Sequence, residues 1–195
     1  MHWVAPLFTR GFALLIVALG LVGLYFVSRQ WDEFLHTFPY FFSLQGIAIY
    51  GLSLAFTKTL HELGHAYAAT RYGCRVPTMG VSFLVMVPVL YTDTSDTWKL
   101  RSRKQRLLVD GAGVLTELCL ASIATFLWAF LPDGPVRSAA FVIATTSWIS
   151  TLAINLSPFM RFDGYYFLSD MIGVPNLSSR SQAFGQWQLR EWLFG

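Results

Sequence analysis

The chain has 195 residues, 54% of them hydrophobic and only 13% charged, with a formal net charge of +3. Several apolar runs approach 20 residues, so the composition excludes a disordered chain and an ordinary soluble enzyme and indicates an integral membrane protein of one domain. There is no glycine-rich phosphate loop, and Cys74 and Cys119 lie far apart with no CxxC pair, so nucleic acid, a disulfide framework and a thiolate metal site are all set aside.

In chain order, the first apolar run extends from Gly11 to Ser28 and then turns polar at Arg29. Tyr25, Phe26 and Arg29 stand where a small-residue cleavage site would be, so the run reads as an uncleaved membrane span. Trp31, Phe34, Phe38, Tyr40, Phe41 and Phe42 form an aromatic connector suited to the membrane interface. The second span, about Leu44 to Thr70, carries His61-Glu62-Leu63-Gly64-His65. Histidines four apart project from one face of a helix, and two imidazoles at that spacing share one Zn²⁺, with Glu62 placed to take a proton from a metal-bound water. The plainer alternative is a polar patch on a helix, but His, Glu and His are costly in an apolar helix without a function. His61 lies about 26 Å of helix beyond Leu44, against a hydrocarbon core of about 30 Å, so the motif falls near the far end of its span. Lys58, four residues before Glu62, either pairs with it or snorkels to the nearby surface; the second is expected.

Residues 71–106 form a polar, basic connection of net charge +5, with Arg71, Arg75, Lys99, Arg101, Arg103, Lys104 and Arg106 against Asp93 and Asp96. Within it, Gly80–Tyr91 is apolar and rich in β-branched residues yet too short to span, and Pro77 and Pro88 oppose a helix. The segment predicts a re-entrant or interfacial β-hairpin, with an amphipathic surface stretch as the alternative. A third span runs from about Gly111 to Leu131, opening with the close-packing residues Gly111, Ala112 and Gly113. It holds Glu117, an intramembrane acid and therefore a functional candidate. A fourth runs from about Ser138 to Leu156 and ends at Pro158; Asp163-Gly164 and a short helical piece to Gly173 follow. Residues 174–195, with Trp187, Trp192, Arg180, Arg190 and Glu191, read as an interfacial helix or as part of a chain cut from something longer.

The expected fold is thus an all-α membrane protein of about four transmembrane helices with a small hairpin. It forms a single domain over 1–195 with its catalytic core at about 44–173. Placing both termini and the +5 loop in the cytoplasm satisfies the positive-inside rule and accounts for the basic cluster through anionic lipid headgroups, without nucleic acid. The ends of the second and fourth spans then share one face of the membrane, and His61, His65 and Asp163 fall at one depth.

A catalytic zinc site needs a third protein ligand and an open position for water. Asp163, Glu117 and Asp110 are the candidates. Asp163 follows a broken helix end beside Gly164, where the backbone can turn back toward a metal. Glu117 follows a Gly-Ala-Gly stretch made for close packing, where a carboxylate is expected to be hydrogen-bonded to a neighbouring helix.

HELGH on a membrane helix, followed two segments later by Asn155-Leu156-x-Pro158-x-x-x-Phe162-Asp163-Gly164, resembles the site-two protease family of intramembrane zinc metalloproteases. The resemblance covers about residues 44–173. It implies one Zn²⁺ held by His61, His65 and Asp163, Glu62 as general base, and Asn155 in contact with substrate near the scissile bond. It also implies that residues 76–92 form the membrane-associated β element that engages an unwound substrate. Arg161-Phe162 departs from the Pro and Leu of many members and bears on substrate fit. The run Phe162-Asp163-Gly164-Tyr165-Tyr166-Phe167-Leu168 is similar to a bacterial subgroup linked to peptide maturation or secretion, which implies a multi-pass protein of the bacterial cytoplasmic membrane, a membrane-protein or peptide substrate, and a secretion-adaptor partner. Two other readings use the same residues. A metal transporter or sensor would want further acids or histidines along a path through the bilayer, for which only Glu117 and Lys58 are available. A non-catalytic scaffold of a secretion system would have no use for Glu62.

Overall fold

A computed structural model describes residues 8–38, 42–84, 86–157, 160 and 162–195. Among the described residues, eight α-helices and one hairpin follow one another: α1 Arg10–Arg29, α2 Trp31–His36, α3 Leu44–Arg71, β1 Met79–Leu84, β2 Val87–Thr92, α4 Arg103–Asp110, α5 Ala112–Phe130, α6 Pro135–Ile149, α7 Asp163–Ile172 and α8 Leu177–Phe194. Among the described residues, three helical stretches are long and apolar enough to cross a membrane: Arg10–Arg29, Ala112–Phe130 and Pro135–Asn155. The expected second span is also one continuous helix of 28 residues, α3. Its second half carries Lys58, His61, Glu62 and His65, so it is longer but less apolar than the other three.

The starts of α1 and α3 are set by side chains that satisfy free backbone amides. Thr9 accepts from the Phe12 amide and Ser43 from the Gly46 amide. Helix α5 is the central element, packing against α1, α3 and α6. Small residues allow this. A Cβ at Gly23 would lie 2.8 Å from the Phe126 backbone nitrogen, and one at Gly64 would lie 3.0 Å from the Ala112 carbonyl. With lipid outside, close backbone approach of this kind, not hydrophobic collapse, holds membrane helices together. Phe34 of α2 packs its ring against Trp128 and Phe141, with centroids 5.0 and 4.5 Å away. The aromatic connector therefore supplies at least one core residue; Tyr40 and Phe41 lie outside the described residues.

The hairpin is antiparallel, with Met79 opposite Thr92 and Leu84 opposite Val87. Met86 turns the chain at a positive φ of 66°. Phe83 and Met86 are 73% and 92% exposed, so the tip presents apolar side chains outward. Within the basic connection the sequence reading missed α4, which is amphipathic but only eight residues long and largely charged. Arg106 of α4 pairs with Asp170 of α7 at 2.8 Å, which ties the two short helices together.

The expected fourth span holds as α6, with one refinement: its last turn, Ser150–Asn155, is a π-type widening in which the Leu156 amide bonds back to the Thr151 carbonyl at 2.9 Å. Such widenings turn side chains that a regular helix would point elsewhere. Here Ser150, Thr151 and Asn155 all face inward and are buried. Pro158, expected to end this helix, and Arg161 lie outside the described residues. Helix α8 follows α7 across Gly173, which sits at φ 72°, and α8 is almost wholly exposed.

Candidate metal centre

His61 and His65 stand one turn apart on α3, and both imidazoles are buried. Asp163 comes from the first turn of α7, far away in sequence. It reaches the histidines because α7 begins directly against the end of the widened turn. A Cβ at Gly164 would lie 2.6 Å from the Asn155 carbonyl oxygen, an approach that only glycine permits. The carboxylate also sits at a helix N-terminus, where a negative charge is favoured.

The three side chains meet at one point. Asp163 Oδ2 lies 3.0 Å from His61 Nε2 and 3.2 Å from His65 Nε2, and the two Nε2 atoms are 3.3 Å apart. Three donors around one tetrahedral zinc ion, with bonds of about 2.0–2.1 Å, must lie roughly 3.3 Å from one another. Two imidazole nitrogens and one carboxylate oxygen at these spacings fit that ion. The backbone makes room as well: a Cβ at Gly113 of α5 would collide with both imidazole Nε2 atoms. Among the described residues, His61, His65 and Asp163 are the group able to hold a metal.

Each imidazole is fixed through its other nitrogen. His65 Nδ1 lies 2.8 Å from the Val109 carbonyl oxygen and donates to it. His61 Nδ1 lies 3.1 Å from Glu117 Oε1, close but off the ideal hydrogen-bond line. A proton held at Nδ1 leaves the Nε2 lone pair free for the metal, the usual arrangement around bound zinc.

Glu62, on the turn that bears the histidines, lines an open cleft together with His65, Asp110, Phe162, Asp163, Tyr166 and the β2 residues Leu90–Thr92. Asp110 shares the cleft without joining the ligand group, and burial, followed by repulsion from Asp170, pushes its carboxyl up to about 7. Of the three sequence candidates for the third ligand, Asp163 is the one brought to both histidines.

One expectation changes. Lys58 neither pairs with Glu62 nor snorkels: its Nζ lies 2.6 Å from Glu117 Oε1 and 2.7 Å from Ser150 Oγ, because the α3–α5 packing buries Glu117 within its reach. Asn155 does not line the cleft. It donates from Nδ2 to Glu117 Oε2 at 2.8 Å. Glu117 itself meets its expectation of hydrogen bonds to adjacent helices. What the sequence did not reveal is that its carboxylate also approaches a candidate ligand histidine, His61; the missing signal was the depth at which α3 and α5 cross.

The family model of peptidase family M50 matches residues 49–148, just over half of the chain. The matched stretch contains His61, Glu62, His65 and Glu117 and ends before Asp163. A relative from Bacillus subtilis (strain 168), named "Putative peptide zinc metalloprotease protein YydH", is 28% identical over 121 residues, covering 61% of this chain and 46% of the relative. The chain thus spans about half the length of that curated relative. No solved structure matches. A family match of this extent, which takes in the HELGH motif, shows that the chain belongs to peptidase family M50.

Proposed function

We propose that the chain is a zinc-dependent endopeptidase that cleaves membrane-embedded or membrane-proximal segments, with Glu62 as general base. The observation that carries this reading is the convergence of His61 Nε2, His65 Nε2 and Asp163 Oδ2 at zinc-ligand spacings, beside a cleft that Glu62 lines. Bound there, zinc would lower the pKa of a coordinated water toward 7 and polarise the scissile carbonyl.

The remaining work falls to this chain's own groups. Glu62 takes the proton of the attacking water and returns it to the departing amine nitrogen. A peptide bond within a helix is shielded, so substrate unwinds before attack. Strand β2 lines the cleft through Leu90, Tyr91 and Thr92 and has one edge unpaired among the described residues, a suitable surface for an extended segment. Helix α3 serves as a fourth span, with the cleft near the cytoplasmic surface, where water is available. The +5 connection contacts anionic headgroups, and a secretion adaptor is the expected protein partner.

The test is reconstitution into liposomes with a panel of single-span peptides, beside casein as a soluble control. Cleavage of the peptides that needs both zinc and Glu62, with casein left intact, is the expected result. Equal cleavage of casein, or turnover that survives chelation, overturns the reading.

A further inference from the structure

Glu117 is fully buried in the second turn of α5, yet its carboxylate is well satisfied. Oε1 receives Lys58 Nζ at 2.6 Å and faces His61 Nδ1 at 3.1 Å. Oε2 receives Thr151 Oγ1 at 2.6 Å and Asn155 Nδ2 at 2.8 Å. Three hydrogen bonds and the close approach of His61 Nδ1 surround the roughly four lone-pair sites of an ionised carboxylate. A charge buried this deeply is unfavourable unless it is neutralised, and Lys58 supplies the counter-charge.

We propose that Glu117 is a positioning residue for the metal centre: it orients the His61 imidazole through Nδ1 and at the same time fixes Asn155 and the widened end of α6. This inference rests on the zinc reading above. The two histidines are held differently. His65 is anchored by a backbone carbonyl that no substitution removes, whereas His61 depends on a side chain. The same carboxylate holds Thr151 and Asn155, at the end of the segment against which α7 begins. Glu117 thereby couples the orientation of His61 to the placement of Asp163, two of the three ligands. Lys58 holds the charge balance and, through Ser150, clamps the turn from its other side.

A merely structural role for Glu117 would alter stability and leave the metal alone. The experiment uses the purified full chain in detergent and measures zinc affinity by chelator competition and the visible absorption of the Co²⁺-substituted form. The variants are Glu117→Gln, nearly isosteric but uncharged, and Thr125→Val, which removes a buried hydroxyl from the same helix far from the histidines. Glu117→Gln is expected to weaken zinc binding about 10- to 100-fold and shift the Co²⁺ bands, as loss of a histidine's outer partner does. Thr125→Val is expected to change neither. Should the single variant lose its fold, Lys58→Met/Glu117→Gln, which leaves no unpaired charge, is expected to show the same weakening. Unchanged zinc affinity and Co²⁺ bands in the folded variant overturn the inference alone. A wild-type chain that binds no zinc overturns the zinc reading and this inference with it.

Discussion

Thr92, at the end of β2, donates its hydroxyl to the backbone carbonyl of Glu62, 3.1 Å away. The hairpin is thereby fastened to the turn of α3 that carries the proposed base, and the strand lining the cleft keeps a fixed position relative to Glu62. Replacing Thr92 with valine keeps the shape and removes the donor. One such bond is worth about 1 kcal/mol, roughly five-fold in an equilibrium. Thr92→Val is expected to lower kcat/KM by about that factor with zinc content unchanged, measured on a membrane peptide with metal analysis alongside. Loss of zinc would show instead that the hairpin supports the metal centre itself.

Glu62 lines the cleft without entering the ligand group. Glu62→Gln is therefore expected to retain zinc and fold while losing at least about 10²- to 10⁴-fold in turnover, the usual contribution of a general base. Metal content per chain and single-turnover cleavage check the two halves separately. A variant that still cleaves near the wild-type rate would require another base.

These expectations were legible in the sequence to unequal degrees. His61, Glu62 and His65 could be read directly because the spacing is local: a helix places residues four apart on one face whatever surrounds it. Asp163 needed more, namely the charge asymmetry that puts the ends of two spans on one side. Lys58 and Glu117 were out of reach. Which partner a buried charge finds depends on the crossing of α3 and α5 and on the widened turn at Ser150–Asn155, and neither leaves a local pattern. The bond from the Asn155 amide to Glu117 escaped for the same reason. Helix α4 escaped because it is only eight residues long and lies within a strongly basic stretch.

Asp163 is the proposed ligand that comes from outside α3, and its removal leaves only two imidazoles, too few for a stable catalytic zinc site. Asp163→Ala is expected to lose zinc under mild chelation together with all activity. Asp110→Asn, in the same cleft but outside the ligand group, is expected to keep its zinc. Metal analysis of the two variants after identical chelation decides it. Retention of zinc by Asp163→Ala would return the third ligand to Asp110 or Glu117.

Gly113 provides the most stringent test of the geometry, because the change adds one methyl group and removes nothing. A Cβ there would meet Nε2 of both His61 and His65, on the side from which they face the metal. Neither ring has freedom to retreat: His65 is held at Val109, His61 stands against Glu117, and both are buried. Alanine is also a better helix former than glycine by about 1 kcal/mol, so α5 itself has no reason to unwind. Gly113→Ala is accordingly expected to keep its helical circular dichroism while zinc content and activity fall together. Gly51→Ala, where an added Cβ meets nothing within 4 Å, serves as the matched control and is expected to keep its zinc. If Gly113→Ala bound zinc as the wild type does, the metal could not lie between these two imidazoles, and the ligand assignment would fail at its centre.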